Sequence, residues 1–355
     1  MKKNKHKYQG RITLECLTTH KVHPVEFIIE KAITFISFLS LAFIILIFIF
    51  VFREAGGLFF HSAEELNVTE LDLEMETYGE EYVNDNIDKD LSSVVEAESE
   101  DHSVSFLDVF GLTWQPVSLN PRFGIIPLFV GSLKIALIAI ALGAPLAIFG
   151  ALYTSIFAPP WVRETIKPGI EILAGFPSVV IGFFALVILA SAVQKTFGFQ
   201  FRLNSVVGGI ALSLAVIPII YTISEDALNA VPRSLTQASL ALGARKWQTA
   251  LFVVMPAAIP GIFASILLGI GRAVGETMIA LMATGNAAIL SLNPALPVRT
   301  MAATIGAEMA EVVFGDTHYS VLFFLGVLLF IFSFILNSTT EFFIRQRLMK
   351  RFGAL

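Results

Sequence analysis

Arg272 and Glu276 stand four residues apart in Ala257–Gly285, a stretch otherwise free of Asp, Glu, Lys and Arg. A helix through this stretch would place both on one face. Each costs about 2.5–3.5 kcal/mol at the centre of a membrane helix on insertion scales, and residues carried at such a cost usually mark a substrate path or a buried pair. Arginine stays charged and offers a planar fork of donors, which can replace part of the hydration that an oxyanion loses. No Gly-x-x-x-x-Gly-Lys phosphate loop, zinc-ligand cluster or catalytic triad pattern occurs, so the chain is expected to be no enzyme and to need no cofactor or metal.

The elements that must hold these two charges are membrane helices. With 55% hydrophobic residues, 15% charged residues and 32 Phe among 355, the composition is that of a polytopic membrane protein. Ala32–Phe52 is 21 residues without a charge, enough to cross about 30 Å of hydrocarbon, and reads as a retained anchor. Further spans are expected at about Ile125–Tyr153, Gly169–Val193, Val206–Ile223, Ala257–Ala283 and Ser320–Phe343, which makes an all-α, six-span chain. Segments 1–31, 154–168, 227–256 and 344–355 carry sixteen Lys and Arg, whereas 53–123, 194–205 and 284–319 carry six. The positive-inside rule therefore puts both termini in the cytoplasm. The single cysteine, Cys16, excludes an internal disulfide.

Between Glu64 and Asp108 lie sixteen acids and one Lys, so the net charge of −5 comes from one external loop. Residues 64–103 are expected to form a disordered insertion that points aside from the anion path, toward an external partner or a cation. Residues 1–31 read as a solvated basic tail, and Trp114, Pro116 and Phe123 as an interfacial lead-in to the second span. Gly175-Phe-Pro177, Pro218, Pro256 and Pro260 interrupt spans, and interrupted helices line many transport sites. Lys134 is expected to snorkel to the headgroups. Asn286 and Arg299 are assigned to the external mouth, Arg299 as a solvated loop charge.

The loop 230–256 is too polar to span. Leu235–Leu242 reads as a short amphipathic helix, Gly243 as its left-handed stop, and Lys246–Met255 as a second helix ending at Pro256. The run Gln237-Ala238-Ser239, then Gly243, then Val253-Val254-Met255-Pro256 nine residues on, resembles the coupling loop of ATP-binding-cassette importer permeases, with Gln237 where that family has Glu. The resemblance implies a knob that docks on a partner ATPase through Gln237, Ala238, Ser239, Gly243 and Pro256.

Phe176–Gly182, Gly271–Met278 and Trp114-x-Pro116 leading to Phe123-Gly124 resemble the phosphate-specific (Pst) importer permeases, the PstC type in particular, from about Phe106 to Arg345. This implies an importer of inorganic phosphate in the bacterial inner membrane. Its partners would be a second, similar permease, two ATP-binding subunits and an external phosphate-binding protein, with no role for nucleic acid. The expected organisation is a tail 1–31, an anchor 32–52, an external loop 53–123, a permease core 124–345 containing the coupling loop, and a tail 346–355. A helix beginning at Pro260 would carry Arg272 about 18 Å and Glu276 about 24 Å along its axis. Glu276 has two readings: it neutralises and orients Arg272, the usual state of intramembrane charges, or it accepts the proton of hydrogen phosphate, which sulfate lacks. Thr277 and Ser178 could donate to the anion or to neighbouring carbonyls. Alternatives are a permease for sulfate or molybdate, and a stand-alone ion-coupled anion carrier using Glu276. A membrane sensor is disfavoured, because no segment is long and apolar enough to form a separate folded domain.

Overall fold

The computed structural model describes residues 24–60, 108–118 and 120–343, so the acidic block 64–103, residues 1–23 with Cys16, and the 346–355 tail lie outside the described residues. The chain divides into two compact units, 1–51 and 52–355. Helix α1 (Pro24–Phe60) begins in the first unit, and its Ile29–Gly57 portion is long and apolar enough to cross a membrane.

In the second unit a 3₁₀ turn (Asp108–Phe110) precedes the antiparallel pair β1 (Trp114–Gln115) and β2 (Arg122–Phe123). Helices follow in order: α2 (Ile126–Leu152), α3 (Pro160–Gly175), α4 (Ser178–Phe184), α5 (Ala190–Phe197), α6 (Ser205–Asn229), α7 (Arg233–Ala241) and α8 (Lys246–Thr249). Then come α9 (Met255–Val274), α10 (Met278–Ala283), α11 (Met301–Glu308) and α12 (Thr317–Phe343). Wide π-helical turns follow α2 at Tyr153–Phe157, join α4 to α5 at Ala185–Leu189, and join α8 to α9 at Ala250–Val254. Six helical segments among the described residues can cross a membrane, as the hydropathy pattern predicts.

Helix α6 is the centre of the bundle, with Leu212, Val216 and Ile220 fully buried against α2 and α9. Gly209 lets α6 lie against Ile138 of α2, where any side chain would collide. Asn204 caps α6, its side chain accepting from the Val206 and Val207 N–H groups at 3.0 and 3.1 Å.

Three boundaries differ from the sequence reading. The third span is Ser178–Phe197, not Gly169–Val193, because α3 carries Arg163, Glu164, Lys167 and Glu171 and is a separate helix. Phe176-Pro177 therefore joins two helices and interrupts no span; Phe176 has ψ 128°, the extended value that the residue before proline prefers. The fifth span is Lys246–Val274. It passes through Pro256 without stopping, because the preceding π turn widens the helix where the proline ring would press on a carbonyl.

Candidate functional site

The knob over 230–256 forms with the short helix and left-handed glycine its sequence predicts, but its second helix runs on through Pro256 instead of ending there. Helix α7 ends in a left-handed Gly243, φ 86°, and the Ala244 N–H donates to the Ser239 carbonyl at 3.2 Å, closing a Schellman turn. Ser239 also shares a 2.9 Å hydroxyl bond with Thr249, and the Gln248 side chain accepts from the Arg245 N–H at 2.8 Å. These bonds fix α7 against the start of the fifth span. Gln237, Ala238 and Gly243 are exposed, and Leu242 (90%), Trp247 and Phe252 (70%) present apolar surface beside them. Pro256 lies inside the helix at the base of the knob, half-buried.

Arg272 and Glu276 are arranged differently from the sequence expectation. Helix α9 stops at Val274, and Gly275, Glu276 and Thr277 form a break before α10. Arg272 and Glu276 therefore do not share one helical face; Arg272 lies in the last turn, where free carbonyls favour a cation, and Glu276 lies past the end. The helix containing Arg272 begins at Lys246 rather than Pro260, so the residue sits about 39 Å along it instead of about 18 Å. Among the described residues neither Arg272 nor Glu276 has an ion pair within 4 Å. The orienting pair expected of Glu276 is absent because Gly275 ends the helix between them.

Two helices hold this break in place. Gly182 of α4 presses on α10, where an added methyl would lie 3.0 Å from the Met282 sulfur and 3.2 Å from the Met278 carbonyl oxygen. Thr277 fits its methyl against Gly306 of α11. The segments Phe176–Gly182 and Gly271–Met278, far apart in sequence, thus meet at the α4 and α10 contact. Ser178 begins α4 one turn from that contact, and Thr277 immediately precedes α10. Neither hydroxyl makes a hydrogen bond among the described residues. By contrast Ser132, Thr154, Ser213, Ser265, Thr284 and Thr304 each donate to a carbonyl three or four residues back.

Two other polar residues, Lys134 and Arg299, are placed otherwise than the sequence suggested. Lys134 does not snorkel: it is buried, and its Nζ donates to the Ser291 and Asn293 carbonyls at 2.9 and 3.3 Å, tying the 285–298 loop to α2. Arg299 is no solvated charge, for it pairs with Glu308 at 2.6 Å. Asn286 has φ 46°, and its buried Oδ1 has no partner among the described residues. Trp114 and Phe123 are buried within the fold, their rings packed edge-on with the His318 ring nearby. Trp114 Nε1 donates to Glu308 at 3.2 Å, and His318 Nε2 lies 2.9 Å from the other carboxylate oxygen. Burial pushes the Glu308 carboxyl up, but the His318 hydrogen bond, the Arg299 charge and the Trp114 N–H together hold it below its usual range.

Sequence reasoning missed a second buried carboxylate. Glu225 pairs with Lys167 at 3.0 Å and with Arg163 at 3.8 Å. The signal was an acid two residues past the expected end of the fourth span, which in fact runs on to Asn229.

Residues 139–348 match the family described as "Binding-protein-dependent transport system inner membrane component". The chain is 34% identical over 224 residues to the "Probable ABC transporter permease protein YqgH" of Bacillus subtilis (strain 168), covering 63% of this chain and 72% of that one. It is 30% identical over 261 residues to the "Phosphate transport system permease protein PstC" of Mesorhizobium japonicum, covering 68% and 79%. The inward-facing methionine transporter MetNI matches at 19% identity and TM-score 0.47, over 62% of this chain and 93% of that one. By the span of the family match and the identity to PstC, the chain belongs to the inner-membrane components of binding-protein-dependent transport systems, the multi-pass permeases of ATP-binding-cassette importers.

Proposed function

We propose that the chain is the PstC-type permease subunit of an ATP-driven importer of inorganic phosphate. It works with a second permease, two ATP-binding subunits and an external phosphate-binding protein, with both termini in the cytoplasm. ATP is hydrolysed by the partner subunits, which dock on the knob at Gln237, Ala238, Ser239, Gly243 and the base formed by Pro256.

One observation carries the substrate reading: Arg272, Glu276 and Thr277 at the break between α9 and α10, and Ser178 at the start of α4, which packs on α10, make no side-chain hydrogen bond or ion pair among the described residues. A charged fork and two free hydroxyls beside one helix break supply donors for a tetrahedral dianion. Glu276, free of Arg272, is an acceptor for the proton of hydrogen phosphate, and a site built around a substrate hydroxyl rejects the analogue lacking it. The likeness to PstC proteins supports phosphate over sulfate or molybdate. The exposed Leu242, Trp247 and Phe252 on the knob support a docked partner over a stand-alone carrier.

The test is uptake of labelled phosphate by the reconstituted complex, with sulfate as competitor. ATP-dependent phosphate uptake that sulfate does not displace is expected. In Glu276→Gln, phosphate should lose about tenfold of its advantage over sulfate. Undiminished discrimination would return Glu276 to a structural role, and preferred sulfate uptake would replace the substrate.

A further inference from the structure

The last turn of α6 is gripped from two sides just before the chain enters the knob. Toward α9, Ser224 and Ser265 share a 2.9 Å hydroxyl bond, and Ala227 lies against Gly261, where no side chain would fit. Toward α3 the attachment is electrostatic. Glu225, its side chain 3% exposed, takes Lys167 at 3.0 Å and Arg163 at 3.8 Å, and the Asn229 amide reaches it at 3.5 Å. Arg163 also donates to the Thr154 and Ser155 carbonyls at 3.1 Å each, and to Asn229 Oδ1 at 3.4 Å.

Helix α3 has no fully buried residue, and Ile166 and Ile170 are only half-buried against the core. Its hold on the bundle therefore includes the ion pairs to this carboxylate and the Arg163 bonds to the Thr154 and Ser155 carbonyls. At its far end α3 passes into α4 through two residues only, Phe176 and Pro177, both extended. Proline fixes φ there, so the joint transmits a shift of α3 instead of absorbing it. Ser178 is the first residue beyond it.

We infer that Glu225 is a positioning residue that makes the knob and α3 move as one body, so that an ATPase displacing the knob drives α4, and with it Ser178, through Phe176-Pro177. The inference deepens the reading of the chain as an ATP-driven importer and rests on it, but it does not depend on the substrate being phosphate.

The experiment uses the full complex in lipid vesicles. In Glu225→Gln, ATP hydrolysis should stay within about twofold while uptake per ATP falls about tenfold, a split that simple loss of folded protein would not produce. If that variant fails to assemble, Lys167→Gln carries the same test at about threefold, since its side chain is 41% exposed and tolerates replacement. A second readout needs no substrate. With Cys16→Ser as background, spin labels at the exposed Glu164 on α3 and Ser234 on α7 should keep one separation with and without trapped nucleotide, and Glu225→Gln should make that separation nucleotide-dependent. Uptake per ATP unchanged in both variants, or a wild-type separation that shifts with nucleotide, would overturn the inference. A complex that holds the separation but carries no phosphate would sink the substrate reading and leave this one standing.

Discussion

Two charged regions of this chain differ in how their charges are satisfied. Around Glu308 every oxygen is taken: Arg299 and Trp114 reach one, His318 the other, drawn from a loop, the first strand and the start of the last span. At the break between α9 and α10, Arg272 and Glu276 lie only four residues apart, yet among the described residues neither has an ion pair. A carboxylate that gathers donors from three segments is a fastening, and its loss leaves buried charges unpaired. Charges left open beside a glycine break cost free energy that the fold does not recover, which is intelligible if a ligand or a neighbouring subunit completes them.

The contrast is sharpest in a pair of substitutions. Arg272→Ala should lower phosphate uptake about a hundredfold, the loss of one charge-assisted fork, while the thermal midpoint of the purified complex stays within about 2 °C. A large drop in that midpoint would make Arg272 a second fastening and erase the distinction. Glu308→Ala should do the reverse: about 2–3 kcal/mol of stability is lost, read by thermal unfolding, and uptake per folded complex is kept.

Acid probes the same carboxylate more gently. Because its folded pKa lies below the ordinary 4.5, Glu308 contributes stability that is present above that value and lost as pH falls through the folded pKa. The thermal midpoint should therefore fall below about pH 4.5 in the wild type and fall less steeply in Glu308→Gln. An equal slope would show that other groups govern the acid limb.

Gly243→Ala should have the smallest effect. Open space surrounds the site, so only the φ of 86° is penalised, at about 1 kcal/mol. The expected result is ATPase subunits bound about fivefold more weakly, with uptake recovering when they are supplied in excess.

What the sequence made legible follows from range. Apolar run length is local, so six spans were readable, and a glycine after an amphipathic turn is local, so the knob was too. The break at Gly275 was not, because Gly271-Arg-Ala-Val-Gly275 has the composition of a continuing span, and the contacts that flank the break, Thr277 with Gly306 and Gly182 with α10, are long-range. Lys134 and Arg299 were misplaced for the same reason: their partners, Ser291, Asn293 and Glu308, lie 9 to 159 residues away, and no local pattern announces them. Glu225 was lost to a boundary, since ending the fourth span at Ile223 moved it into a loop. The candidate residues Ser178, Arg272, Glu276 and Thr277 could be picked out by type, but their lack of side-chain partners among the described residues could not, because that is a property of the assembled bundle.

The wide turn at Ala250–Val254 sets how the knob is rotated about the helix that carries Arg272. Such a turn holds one residue more than a regular helix needs, and each helical residue advances the screw by about 100°. Deleting a single residue there would let the helix close up without breaking it and would swing the knob by that angle about the axis of α9. The compass bearing between the knob and the side chain of Arg272 is thus fixed by one surplus amino acid.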